Sequence, residues 1–295
     1  MKPISVRIVG GLGNQLFGYF AGRYLAEKLG TDLILDDHQL IHNKHSNSSI
    51  FDLNLQNCAV SGDQRKRRIC QLIDQIPLHT PTLDNIYRRF LGVHISRQVG
   101  FDPNLQRALP GTTILGYFQS FKYFVETTHY KNRQSFSLKA PSTWYQKLHQ
   151  EVSSTQPIIM HVRRGDYSKT ENREFGMLSQ EYFLDGLELL RNQAELRDTE
   201  VWVFSDSLEA VKAEFGKKGE NFRFVEPTVE STAAESLLIM ANGAAIIGSN
   251  STFSYWSALL SKHQNVIAPT KWFRSREDPL DLIPPNWSRQ ESVWL

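Results

Sequence analysis

The sequence predicts an α/β protein of two domains, each a parallel sheet with crossover helices. Three observations carry that prediction. A strand, a glycine turn, a helix and a second strand follow one another over residues 4–35. Strand-like and helix-like segments alternate from Pro157 onward, and four polar loops each follow a predicted strand. The chain has 295 residues, 40% hydrophobic and 22% charged, enough for one large domain or two ordinary ones and unlike a disordered chain.

Taken in order, residues 4–9 are β-rich and Gly10-Gly11-Leu12-Gly13 forms a turn. Residues 14–29 carry Phe17, Phe20, Tyr24 and Leu25 near helical spacing, Gly30 stops that helix, and 31–35 form the second strand. Residues 39–141 are less regular, with polar loops at 42–49 and 65–68 and aromatic pieces at 116–123. Strand-like segments then fall at 158–162, 201–204, 222–225, 244–247 and 266–267. A helix starting near Thr232 has a Thr232-x-x-Glu235 capping box and ends at Asn242-Gly243. The expected division is an N-terminal α/β domain at 1–150 and a C-terminal Rossmann-like domain at 151–295.

Basic residues number 33 and acidic ones 31, so no overall field attracts nucleic acid, and any anion site is local. Cys58 and Cys70 lack metal-ligand spacing and form no disulfide framework, which fits a reducing cytoplasm. Met1-Lys2-Pro3-Ile4 runs straight into a strand, and no apolar stretch approaches about 18 residues. The expectation is a cytoplasmic protein, at most peripheral at the inner membrane. The basic run Arg65-Lys66-Arg67-Arg68 reads as a solvated helix face or as a contact for an anionic membrane.

The most informative motif is His161-Val162-Arg163-Arg164-Gly165-Asp166-Tyr167, which follows the apolar run Pro157-Ile158-Ile159-Met160. Two arginines at the mouth of a buried strand are costly unless an anion meets them, and a diphosphate is the obvious candidate. The expected arrangement puts one arginine on the ligand and the other on Asp166; the alternative is a purely structural ion pair. Ser205-Asp206-Ser207 and Ser249-Asn250-Ser251-Thr252-Phe253-Ser254 also follow strands, where open α/β sheets bind ligands. The first is equally a helix cap, whereas the second has more donors than a cap needs and suggests a phosphate cradle. Its Asn250-Ser251-Thr252 triplet matches an N-glycosylation signal, which is discounted because nothing indicates secretion. The glycine turn lacks G-x-G-x-x-G spacing and reads either as a tight turn or as a close phosphate approach through Gly11, Gly13 and Asn14.

Together, Gly10-Gly11-Leu12-Gly13-Asn14-Gln15-Leu16-Phe17, the His161–Tyr167 motif, Phe204-Ser205-Asp206 and Asn250-Ser251-Thr252-Phe253-Ser254-Tyr255-Trp256 resemble the α-1,2-fucosyltransferases of glycosyltransferase family 11. The resemblance spans nearly the whole chain in order and spacing. It implies a GT-B-like fold, two facing Rossmann-like domains with the active site in the cleft. It also implies a GDP-β-L-fucose donor held mainly by the C-terminal half and a terminal β-galactoside acceptor taking fucose at O2. In bacteria that acceptor is often part of a lipid-linked O-antigen or capsule repeat. By the same resemblance Arg163 grips the diphosphate, aided by the Ser251–Ser254 loop and by Asn14 across the cleft. Asp206 with His161 contacts guanine or ribose, Arg164 and Asp166 shape the loop, and the acceptor side is the 1–150 domain. Two positions depart from the family pattern: Ser207 stands where a second Asp is frequent, and Tyr255-Trp256 where Trp-Trp is frequent.

A β-linked donor giving an α-fucoside requires inversion, hence one displacement with a base on the acceptor hydroxyl. The chain has no Asp-x-Asp triplet, so arginine supplies the positive charge and no metal or other cofactor is expected. Glu171, ten residues after His161, matches the offset of a catalytic glutamate in α-1,6 relatives; Asp36 and Asp37 are rivals, and Asn14 or water is a third route. The acceptor pocket is expected within 36–140, with Tyr117, Phe118 and Tyr123 among its aromatics. A glycoside hydrolase would need two opposed carboxylates, and a nicotinamide dehydrogenase the complete glycine fingerprint. A non-catalytic GDP-sugar sensor and a fucosyltransferase of α-1,6 linkage remain as alternatives. Oligomeric state is not legible.

Overall fold

The computed structural model describes residues 1–42, 49–55, 58–60, 64–75, 81–131, 136–165, 174–216, 221–261, 265–279 and 281–295. The chain forms two units, Met1–Asn132 with Pro279–Leu282, and Arg133–Asp278 with Ile283–Leu295. The division therefore lies at 132/133 rather than 150/151, because the helix before the central strand packs within the second unit.

In the first unit the elements are β1 (Ile4–Arg7), α1 (Leu12–Leu29), β2 (Leu33–Asp36), α2 (His38–His42), β3 (Cys58–Val60), α3 (Gln64–Asp74), α4 (Pro81–Ile86), β4 (Val93–Ile95), β5 (Thr113–Leu115), α5 (Phe121–Val125) and α6 (Thr128–Lys131). Its parallel sheet has the order β3-β2-β1-β5-β4, so the winding reverses between β1 and β5. The first βαβ unit is as expected, although α1 begins two residues early, with Gly11 as its N-cap and Gly30 as a left-handed C-cap at φ 61°. Fourteen of the 18 residues of α1 are buried, which is why its one-sided apolar pattern is weak in the sequence. Gly22 lets this helix lie close on the sheet. A Cβ on Gly22 would stand 2.7 Å from Leu33 and 3.0 Å from Val6. Gly22→Val is therefore expected to cost about 1–3 kcal/mol by overpacking, read as a lower melting temperature; an unchanged melt would show that the helix moves freely off the sheet.

The opposite face of this sheet carries α3, whose Cys70 and Ile73 join Tyr87, Val93 and Leu115 in a small core. Phe118 and Tyr123, expected in an acceptor pocket, are instead fully buried. Tyr123 packs edge-on against Tyr24 and Phe118 and accepts a hydrogen bond from the Asp102 backbone, so these rings build the core. Tyr117 is exposed.

The second unit contains α7 (Thr143–Thr155), β6 (Ile158–Val162), α8 (Gln180–Arg191), β7 (Val201–Ser205), α9 (Leu208–Phe215), β8 (Phe222–Phe224), α10 (Ala233–Met240), β9 (Ala245–Ile247), α11 (Thr252–Leu260), β10 (Val266–Pro269) and β11 (Ser288–Gln290). All pairings are parallel in the order β11-β10-β9-β6-β7-β8, and the five expected strands are present; the edge strand β11, exposed and polar, gave no β signal. The capping box on α10 is formed by Thr232 and Glu235. Glu235 also accepts from the Ser142 backbone at the start of α7, which ties that helix to this unit. Ile158, Met160 and Val162 face the core under α8 and α9 with Phe183, Leu187, Val211 and Phe215. Among the described residues, no helix is long and apolar enough to cross a membrane.

Candidate functional site

The second sheet reverses its winding between β6 and β9, and ligands of open α/β sheets bind outside the carboxyl ends of strands at such a switch point. The loops after β6, β7 and β9 meet there. The pleat explains what happens to the two arginines that leave β6. Successive side chains alternate between faces, so Arg163 follows His161 toward the β9–α11 side and Arg164 follows Val162 toward α8 and α9.

Arg164 is buried, and its guanidinium forms a two-pronged pair with Glu214 of α9: Nε donates to Oε2 at 2.9 Å and Nη2 to Oε1 at 2.8 Å. Its Nη1 donates to the Arg163 carbonyl, and the guanidinium lies over the Phe183 ring, its Cζ 5.9 Å from the centroid. Glu214, which sequence reasoning missed, holds the architectural arginine. Glu214 adjoins the buried Phe215 on α9, and only the crossover of β7 and α9 brings it beneath β6. Asp166 and Glu171 lie outside the described residues.

Arg163 keeps 26% of its side chain exposed and bonds through Nε to Asp206 Oδ2 at 3.1 Å. Asp206 Oδ1 accepts from the Arg164 backbone at 2.9 Å, so one carboxylate orients the Arg163 guanidinium and clamps the turn beneath it. Gly165 is required here, since a Cβ would run into that carboxylate. Ser205 Oγ accepts from the Ser207 backbone and shapes the same turn.

On the other side of the switch point, His161 is buried, its Nδ1 3.0 Å from Ser249 Oγ and its ring 5.6 Å from that of Phe253. Burial, reinforced by the Arg163 charge and partly opposed by Asp206, pushes its pKa down to about 4, so it is neutral at pH 7. The unfolded chain therefore binds more protons than the folded one between about pH 4 and pH 6.5. The associated stability is intact above pH 6.5 and is lost as the pH falls through this window, by about 3 kcal/mol in all. A melting temperature that declines over this window in the native protein, but less steeply in His161→Gln, is the expected result; parallel declines would assign the effect elsewhere.

The β9–α11 loop is more architectural than its composition suggested. Asn250 is buried, and its Nδ2 lies within bonding distance of the carbonyls of Phe175 (2.7 Å), Trp272 (3.1 Å) and Gly176 (3.3 Å). Ser254 Oγ lies within bonding distance of the Ser249 (3.2 Å) and Ser251 (3.1 Å) carbonyls, and Ser251 is the N-cap of α11, accepting from the Phe253 backbone. These side chains hold the loop so that the positive end of α11, with Thr252 and Phe253 half-buried in its first turn, opens beside His161. A cation, a helix N-terminus and a buried neutral imidazole at one switch point are suited to a diphosphate.

The remaining expected residues belong to the first unit. Gly11 caps α1, where a Cβ would meet nothing within 4 Å, and Gly13 is buried in the helix. Asn14 Oδ1 accepts from Gln119 Nε2 at 2.8 Å, a bond that bridges the β1/β5 switch point. Gln119 also escaped the sequence reading, because it stands 105 residues away. Gln15 is fully buried, donates to the Gly10 carbonyl and accepts from the Ile50 backbone, fixing the glycine turn. Asp37 lies 3.3 Å from Arg67 Nη2, and Asp36 lies 2.7 Å from Arg67 Nε. Among the described residues, no three His, Cys, Asp or Glu side chains cluster as metal ligands.

Comparison with known proteins agrees with this architecture. The chain is 26% identical to an Escherichia coli alpha-1,2-colitosyltransferase over 99% of its own length and 100% of that protein. It is 25% identical to the Escherichia coli O-antigen biosynthesis glycosyltransferase WbnK over 90% and 93% of the two chains. Among solved structures, the fold resembles the fucosyltransferase NodZ from Bradyrhizobium, with a TM-score of 0.50, 16% identity and coverage of 88% and 94%. It also resembles a FUT1 variant of Arabidopsis thaliana in complex with GDP, with a TM-score of 0.52, 12% identity and coverage of 96% and 75%. The fold is thus GT-B-like. The sequence pattern of glycosyl transferase family 11 matches residues 115–289, a span that includes the loops after β6, β7 and β9, and the chain belongs to that family.

Proposed function

We propose that the protein transfers L-fucose from GDP-β-L-fucose to O2 of a terminal β-galactoside, with inversion and without a metal, in the assembly of a bacterial surface polysaccharide. The observation that carries this reading is Arg163, held by Asp206 at the mouth of β6 and near His161, whose ring lies against Phe253 in the first turn of α11. Departure of GDP places negative charge on the β-phosphate, and a preorganised guanidinium with backbone dipoles stabilises it in the transition state. Support also comes from the GDP-bound fold relative and from the O-antigen enzyme. Glu171 is the proposed base, with Asp37 and Asn14 as competitors.

The test is incubation with GDP-fucose, lactose and EDTA, following GDP release and product linkage by NMR. A 2′-fucosylated product without metal is expected. No GDP release with lactose or any other β-galactoside would favour a non-catalytic GDP-sugar-binding protein. The full-length likeness to a colitosyltransferase supports a second reading, colitosyl transfer, and preferred turnover of a GDP-colitose donor would replace fucose by colitose.

The proposed place of action is the anionic membrane surface. Arg65, Arg68 and Leu72 are exposed on α3, and Phe90 is 73% exposed beside Arg89. Co-sedimentation with phosphatidylglycerol vesicles but not phosphatidylcholine vesicles, abolished in Phe90→Asp, is expected; no co-sedimentation would make the protein a soluble enzyme.

A further inference from the structure

A cavity lies wholly within the first unit. It measures about 320 Å³, the low end of the small-molecule range, and is lined by Arg7, Asp36, His38, Gln39, Arg67, Cys70 and Gln71. Arg7 and Asp36 are register partners at the carboxyl ends of β1 and β2. Their side chains therefore leave the same face of the sheet, the face that α3 covers with Cys70. Arg67, Cys70 and Gln71 recur at helical spacing on α3 and close the cavity from above.

The charges define the occupant. Arg7 is paired with Asp74, its Nη2 donating to Oδ1 at 3.0 Å, and Arg67 is shared by Asp36 and Asp37. Two guanidinium groups thus face three carboxylates, so the cavity and its immediate supports carry no surplus positive charge for a phosphate or an anionic sugar. Polar side chains nevertheless make up most of its lining. The Asp36 side chain is only 7% exposed; its Oδ1 lies against Arg67 and accepts from the His38 backbone. Among the described residues no donor is bonded to its other oxygen, Oδ2. Gln71 Nε2 meets His38 Nε2 at 2.7 Å, which orients both side chains at the rim. A carboxylate oxygen with no donor among the described residues, beside the Gln71 amide and the His38 imidazole, matches the adjacent hydroxyls of a neutral sugar.

We infer that this cavity binds a neutral hexose of the acceptor, with Asp36 Oδ2 accepting from a sugar hydroxyl and Gln71 and Gln39 completing the contacts. Calling the hexose the acceptor rests on the fucosyl-transfer reading; binding of a neutral hexose does not. The occupant is distinct from the nucleotide, because the arginines here are neutralised by carboxylates while Arg163 stands at the other sheet.

The experiment is saturation-transfer NMR of lactose and methyl β-galactoside with the full chain, without donor, alongside calorimetric titration of GDP-fucose. The native protein is expected to bind both galactosides. Gln71→Ala and Asp36→Asn are expected to weaken that binding at least tenfold, with the GDP-fucose Kd unchanged. Gln71→Ala removes only a rim amide and guards against the case in which Asp36→Asn disturbs folding, which a thermal melt would reveal. Undiminished galactoside binding in Gln71→Ala and in a folded Asp36→Asn, or no binding to the native protein, overturns the inference. Galactoside binding that is lost in the variants, with no GDP-fucose binding by the native protein, would uphold the cavity and overturn the donor reading instead.

Discussion

Arg163→Ala is expected to lower kcat/KM for GDP-fucose by on the order of 10³-fold while leaving the melting temperature nearly unchanged. The asymmetry follows from the surroundings of Arg163. Its side chain is a quarter exposed and bonds to Asp206, whose other oxygen stays engaged with the Arg164 backbone when the guanidinium is removed. The fold therefore retains its turn, whereas the departing diphosphate loses a preorganised cation. Arg163→Lys should recover only part of the loss, because an ammonium cannot offer the planar fork that bonds Asp206 and a phosphate together. Steady-state kinetics beside calorimetry decide the matter. A melting temperature that falls with activity would make Arg163 a structural residue and remove the main support for the donor site.

Arg164→Ala acts through the other route. Removing Arg164, the buried member of the pair, leaves Glu214, 24% exposed, without its partner, at a cost of about 3 kcal/mol, the low end for buried pairs. For a unit of this size that corresponds to roughly 10 °C in melting temperature. Arg164→Met combined with Glu214→Leu should restore most of the stability, since replacing both charges with apolar groups removes the penalty of the unpaired one. GDP-fucose turnover in the double variant is expected to return with the fold. If the double variant melts no higher than Arg164→Ala, the guanidinium holds something other than Glu214, and the division of labour between the arginines fails.

Within the fold, the legible parts were those with strong local signals. Strand β6 is continuous, apolar and bounded by Pro157 and Gly165, and α10 carries a complete capping box, so both were found with their boundaries nearly correct. Helix α1 ends at Gly30 as expected, but its first residues were read as turn, because Gly11-Leu12-Gly13 looks like a turn until Gln15 ties it to Gly10. Strands β3, β4 and β5 were missed. Each is three residues long, too short for alternation to show, and each is stabilised by pairing with chain far away in sequence.

For the site, the sequence determined which loops carry the polar residues, because each follows a strand that its own β-branched and apolar side chains announce. It also determined that Arg163 and Arg164 stand together at a strand mouth, and its motifs identified the family. The tertiary structure decided what each polar group does. Alternation along β6 separated the two arginines, the β7–α9 crossover chose Glu214 as the partner of Arg164, and distant carbonyls engaged Asn250. It turned Phe118 and Tyr123 into core and opened a polar cavity between α3 and the first sheet. The physical reason is range: helix and strand preferences act over a few neighbouring residues, whereas ion pairs, buried amides and cavities depend on groups that only folding brings within a few ångströms.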